Sequence, residues 1–145
     1  MAEVENKPRT KTVLEDLRKL NERNDMLRED IQNNKLAREA LVGRIANVES
    51  AALRQARDEK RDDGKPLNTN DALRDAAVNA TVLKNDDYQE CRKHTEKIDA
   101  AIAIDKRMLE FNAGEWKILM AEVDLLVAQL ASNVKVAAVE ALGEV

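Results

Sequence analysis

Cys91 and His94 are the residues best equipped to act as a nucleophile and a base. They lie three apart, so they are neighbours on one helix face. Such a pair needs a third group to orient it and a shaped pocket around it, and a long helix supplies neither. A seam cysteine with a flanking surface histidine is the plainer reading. With 1 Cys and 1 His the chain can build neither an internal disulfide nor a self-contained zinc site. The paired carboxylates Asp62–Asp63 and Asp86–Asp87 fall in an expected loop and an expected helix start, where solvation and capping account for them. Asp63-Gly64-Lys65 is a turn without the glycine spacing of a phosphate loop, and no G-x-S-x-G, H-E-x-x-H or C-x-x-C occurs. The expectation is therefore no enzyme, no catalytic residue, no metal and no cofactor.

The remaining chemistry is cationic. Arg54, Arg57 and Arg61 are spaced three and four apart and share one face of a helix, with Lys60 and Lys65 beside them. Arg74 and Lys84 follow on the next helix, then Arg92 and Lys93 beyond Asn85-Asp86-Asp87. The stripe lies where the apolar pattern fades, so packing does not require it. Several cations at one end of a helical hairpin could hold a nucleic-acid backbone. Asp58, Glu59, Asp62 and Asp63 interleave with them, however, and could reduce the stripe to an ordinary solvated face of i,i+4 pairs. Both readings stay open at this stage.

Helices must position these groups. Of 145 residues, 4 are Gly and 2 are Pro, while 36% are charged and 43% hydrophobic. Sandwiches and barrels need frequent turns and β-formers, so this balance points to an all-α chain. Aromatics make up 2% of the chain, too few for the stacking platforms of sheet-based single-strand binders. The net charge of −4 resides wholly in residues 108–145, which carry 2 basic and 6 acidic groups; residues 1–107 balance at 22 of each. Any nucleic-acid surface is expected in the first three quarters. The longest uncharged run, Leu125 to Val134, is too short for a bilayer, and the start lacks the apolar segment of a signal peptide. The lone cysteine suits a reducing compartment, so a cytoplasmic protein without a membrane partner is expected.

Residues 1–11, with Pro8, read as a flexible arm. Thr12 to Glu15 forms a capping-box pattern that opens a first helix over 12–61. Its seam alternates by four and three through Val13, Leu17, Leu20, Asn24, Leu27, Ile31, Asn34, Arg38, Leu41, Ile45, Val48 and Ala52. A loop is expected over 62–70 and helices over 71–132, with a possible break at 85–87. A second seam runs Tyr88, Cys91, Thr95, Ile98, Ile102, Asp105, Leu109, Asn112, Trp116, Leu119, Val123, Leu126 and Leu130. Ser132-Asn133 reads as a stop, leaving a short C-terminal helical segment over 134–145. Two strict seven-residue repeats joined by a loop predict a long antiparallel helical hairpin or coiled coil. Placing Arg38 against Asp105 as a buried register pair sets Leu41 by Ile102, Ile45 by Ile98 and Leu27 by Trp116. The rival is a parallel homo-oligomer in which Asn24 meets its own copy. The last third is apolar over a wide arc, and Trp116, Leu119, Val123, Leu126 and Leu130 are the expected surface of a homo-oligomer.

Residues 54–126 resemble the UvsY-type recombination mediators of phages. Arg54-x-x-Arg57 near the end of a long helix leads into Gly64-Lys65-Pro66-Leu67 and a polar Asn68-Thr69 helix start. Ala76 and Val78 follow, then the break ending at Tyr88, then Met108-Leu109-Glu110-Phe111 and Ile118-Leu119-Met120. The acidic balance, the scarcity of aromatics and Asn112-Ala113-Gly114-Glu115 depart from the family pattern. The resemblance implies an oligomeric, non-enzymatic helical protein of the host cytoplasm. Such a protein would bind single-stranded DNA and help load a RecA-like recombinase in place of single-strand-binding protein. On the matching positions, Arg54, Arg57, Arg61 and Lys65 would touch phosphate, and the Trp116–Leu130 seam would assemble a ring.

Overall fold

The computed structural model describes the backbone of residues 2–143 and the side chains of residues 9–143. The described residues are all-α and form three helices: α1 (Ala2–Asp58), α2 (Asp71–Leu83) and α3 (Asp86–Gly143). Three boundaries differ from the sequence reading, one of them the end of α1, which comes at Asp58 and not at 61. α1 begins at Ala2, so residues 2–11 of the expected arm are helical, residue 1 lies outside the described residues, and Thr12 lies inside the helix instead of capping it. Ala2, Glu3, Glu5, Lys7 and Lys11 are favourable helix residues, and Pro8 does not end the run they make. α3 likewise passes through Ser132-Asn133 to Gly143 without a separate final segment. Each of those residues costs a helix only some tenths of a kcal/mol, and the Ala- and Val-rich sequence beyond them continues it.

The chain divides into two compact units. The first joins Met1–Glu29 to Asp105–Val145. Here Val13 and Leu17 of α1 are buried with Leu126 of α3, and Leu119 and Val123 pack against them. Partner numbers on α3 fall as those on α1 rise: Arg9 pairs with Glu122, and Asn24 with Asn112. The two asparagines are buried, and the Asn112 amide donates from Nδ2 to Asn24 Oδ1 at 2.8 Å.

The second unit is Asp30–Ile104. Ala52 of α1, Val82 of α2 and Tyr88 of α3 are buried together, with Ile45, Val48 and Val78 packed around them. Small Ala52 and Ala56, exposed 3% and 2%, leave room for the Tyr88 ring and for α2 to approach α1. Cys91 is also buried. Among the described residues no buried side-chain polar atom lacks a partner.

The expected register pair does not form. Arg38 donates from Nε to Asp99 at 2.6 Å, not to Asp105. With Arg38 opposite Asp105, Asn24 would have faced Leu119; it faces Asn112, seven residues earlier. Ile45 packs on the cluster that holds Tyr88. The slip is one whole heptad, which leaves every apolar residue on its seam. The polar residues therefore decide. An Asn amide buried against leucine leaves its hydrogen bonds unmade at about 1–3 kcal/mol, whereas two facing amides satisfy each other. Arg38 has a stem long enough to carry its charge out of the seam to a flanking carboxylate.

Candidate nucleic-acid interface

The nine cations singled out from the sequence all belong to the unit Asp30–Ile104. Arg54 and Arg57 sit exposed on the last two turns of α1, which stops at Asp58. Arg61 is therefore not on the helical face expected for it. Residues 59–67 form a small reverse hairpin instead of a featureless loop. Lys60 and Pro66 pair as an antiparallel bridge, and the Leu67 amide donates to the Glu59 carbonyl at 2.9 Å. The Arg61 amide donates to the Lys65 carbonyl at 2.8 Å, and the Gly64 amide to the Arg61 carbonyl at 2.9 Å. Gly64 turns the chain with φ +78, a conformation that side chains with a Cβ rarely take. The Asp63 carboxylate accepts from the Lys65 amide at 3.0 Å, tightening the same turn.

Asn68 anchors this hairpin. Its Nδ2 donates to the Ala56 carbonyl at 2.7 Å and to Glu59 Oε2 at 3.2 Å, satisfying an open carbonyl at the end of α1. Two residues on, Asn70 caps α2 by accepting from the Leu73 amide at 2.8 Å. Asn85 caps α3 in the same way, accepting from the Tyr88 amide at 2.9 Å. The sequence reading took Asn68 as part of a polar helix start and missed its anchoring role. The Asp-Asp-Gly turn before it was the available signal.

Lys60, Arg61 and Lys65 are exposed on the hairpin. Among the described residues none of them, nor Arg54 or Arg57, makes an ion pair. Of the four carboxylates interleaved with them, Glu59 accepts from Asn68 and Asp63 from a backbone amide. Lys84 lines a groove with Gln55, Glu59, Ala77, Ala80 and Thr81.

Two of the nine are engaged. Arg74 pairs with Asp71 one turn away. Arg92 lies 5.9 Å from the centre of the Tyr88 ring and donates to its hydroxyl at 3.3 Å. That hydrogen bond raises the guanidinium pKa above its ordinary value, and Glu96 and Glu49 add to the effect. Arg92 shares its groove with Glu49, Glu96 and Asp99, which is a poor setting for a phosphate. Lys93 beside it is exposed.

Elsewhere the expected groups separate. Leu119, Val123 and Leu126 of the expected oligomer surface face α1 inside the first unit, whereas Trp116 and Leu130 are exposed. Cys91 is buried while His94 is exposed. Among the described residues no three His, Cys, Asp or Glu side chains gather as a metal site. An 18-residue stretch of α3 is long and apolar enough to cross a membrane by composition, and almost all of it is exposed. No family model, curated protein or solved structure matches this chain.

Proposed function

We propose that this chain is a non-enzymatic recombination mediator of the UvsY type. It acts in the cytoplasm as a homo-oligomer built on an antiparallel coiled-coil hairpin. It holds single-stranded DNA by its backbone and helps a RecA-like recombinase displace single-strand-binding protein. The observation that carries the reading is the group Arg54, Arg57, Lys60, Arg61 and Lys65. All five are exposed, and none has an ion-pair partner among the described residues although acidic groups alternate with them. Flexible cations on an anchored turn suit a phosphate chain of no fixed sequence.

A coiled-coil adaptor without nucleic-acid binding is the second reading. The net charge of −4 favours it, as do the four carboxylates Asp58, Glu59, Asp62 and Asp63 within the basic segment. Fluorescence anisotropy with labelled oligo-dT separates the two. Five phosphate contacts to a single strand give a log–log salt slope of about −3.5, so affinity falls roughly 500-fold from about 50 mM to about 300 mM salt. Arg54→Ala, Arg57→Ala and Arg61→Ala together abolish binding on the mediator reading. No binding by the native chain at the lower salt leaves the adaptor.

A further inference from the structure

α3 carries a second apolar repeat, one residue back from the seam that α1 covers. Phe111, Ile118 and Leu125 recur every seven residues and each immediately precedes a residue of the first seam: Asn112, Leu119 and Leu126. Val139 continues the series after Ser132; the positions three residues before each member are Met108, Glu115, Glu122, Gln129 and Val136, apolar at the two ends only. One residue is about 100° of helix, so these side chains form a separate stripe beside the packed one. All six apolar residues are exposed, from 49% for Met108 to 70% for Ile118. Residues that met solvent alone would have no reason to keep a seven-residue period; a second helix with the same period gives one.

We infer that a second copy of this chain docks along Met108, Phe111, Ile118, Leu125, Val136 and Val139, making α3 a helix shared between two seams. Three observations fix the occupant. The matching repeat needed from the partner is present in the stripe itself, as a two-fold interface requires. The chain exposes 11265 Å², against about 7,500 Å² for a compact monomer of its 16.3 kDa mass. That surplus is several times the roughly 800 Å² that a stable interface takes from each partner. The third observation weighs against lipid. Met108, Phe111 and Ile118 lie among Glu110, Glu115, Lys117, Glu122 and Asp124, outside the apolar stretch of α3, so a bilayer that took up that stretch would leave half of the stripe uncovered. The expected Trp116–Leu130 seam cannot serve in its place, because Leu119, Val123 and Leu126 are occupied by Val13 and Leu17.

This inference rests on the self-association contained in the proposed function, and it is independent of DNA binding. Light scattering coupled to gel filtration on the full chain tests it, with Ile118→Glu and Leu125→Glu combined and with Phe111→Ser as a milder variant. The native chain is expected to run at twice the 16.3 kDa chain mass or a higher multiple. The Glu double variant falls to monomer mass and Phe111→Ser shifts the profile toward it, both with native helical content by circular dichroism. An oligomer whose mass neither variant lowers would overturn this stripe while leaving self-association intact. A monomeric native chain overturns both. Sedimentation of a monomeric native chain with anionic vesicles would assign the stripe to lipid.

Discussion

The two units of this chain differ in where α1 and α3 make their polar contacts. The unit formed by Met1–Glu29 and Asp105–Val145 has one exposed ion pair, Arg9–Glu122, and also a polar contact inside the seam, where Asn24 and Asn112 bond each other while buried. In Asp30–Ile104 the polar contacts lie outside it. Arg38 reaches Asp99 and Arg44 reaches Asp87, and all four side chains remain substantially exposed. An internal amide pair is intolerant of misalignment, since either partner left alone is buried without hydrogen bonds. Exposed ion pairs on flexible stems tolerate it and contribute little. The contrast assigns register to the first unit. In the second, the Ala52–Val82–Tyr88 cluster and α2 provide the cohesion.

Substitutions can break this contrast in a graded way. The largest effects belong to apolar packing in either unit. Leu126→Ala should cost about 2–5 kcal/mol, read as a lower urea midpoint, and Tyr88→Ala about 3–5 kcal/mol by the same measurement. Equal and negligible shifts would mean that these clusters do not hold the helices. Next comes the internal pair. Asn112→Ala strands the Asn24 amide and should cost about 1–3 kcal/mol. Replacing Asn24 and Asn112 together by Leu should recover that loss or exceed it, at the expense of a single register. With one cysteine introduced on α1 and one on α3, in a chain carrying Cys91→Ala, the double variant should cross-link at more than one offset where the chain with Asn24 and Asn112 cross-links at one.

The smallest effect is expected outside the seam. Arg38→Ala should lower the urea midpoint by less than Asn112→Ala does, and about 1 M salt should erase the difference from the native chain. Asp99 raises the Arg38 guanidinium pKa, mainly through their hydrogen bond. The sign matters: a raised pKa adds stability that persists below the ordinary guanidinium range and is lost only above it. The arginine therefore keeps its charge across all ordinary buffers. A shift on Arg38→Ala as large as that for Asn112→Ala would erase the distinction between the units.

Much of this architecture was legible in the residues. Few breakers and two seven-residue repeats read as long helices, and the helices are there. The register was not legible, because a repeat of seven is unchanged by a slip of seven. Arg38 and Asp105 looked like the natural buried pair, but Arg38 has a stem that lets it leave the seam, whereas the short amides of Asn24 and Asn112 cannot. Local stops misled for a related reason. Ser132-Asn133 carries a small penalty that the residues around it outweigh, and α1 runs through Pro8 although proline costs a helix interior about 3 kcal/mol. At the candidate interface the cations were legible by type and spacing. Their placement was not, because α1 ends at Asp58 and the Lys60–Pro66 bridge moves Arg61 and Lys65 onto a turn. The Phe111–Ile118–Leu125 stripe was hidden within a generally apolar third until α1 was seen to cover only the adjacent seam.

The facing of Asn24 and Asn112 within one chain underlies the register of the first unit and, with it, the second stripe. Asn24→Cys with Asn112→Cys, in a chain carrying Cys91→Ala, tests it by oxidation followed by non-reducing electrophoresis and peptide mapping. A single disulfide between positions 24 and 112 within one chain is the predicted product, and a control pairing position 24 with Leu119→Cys should stay reduced. A bond formed by the 24–119 pair, or a dimer joined through position 24 of two chains, would contradict the account.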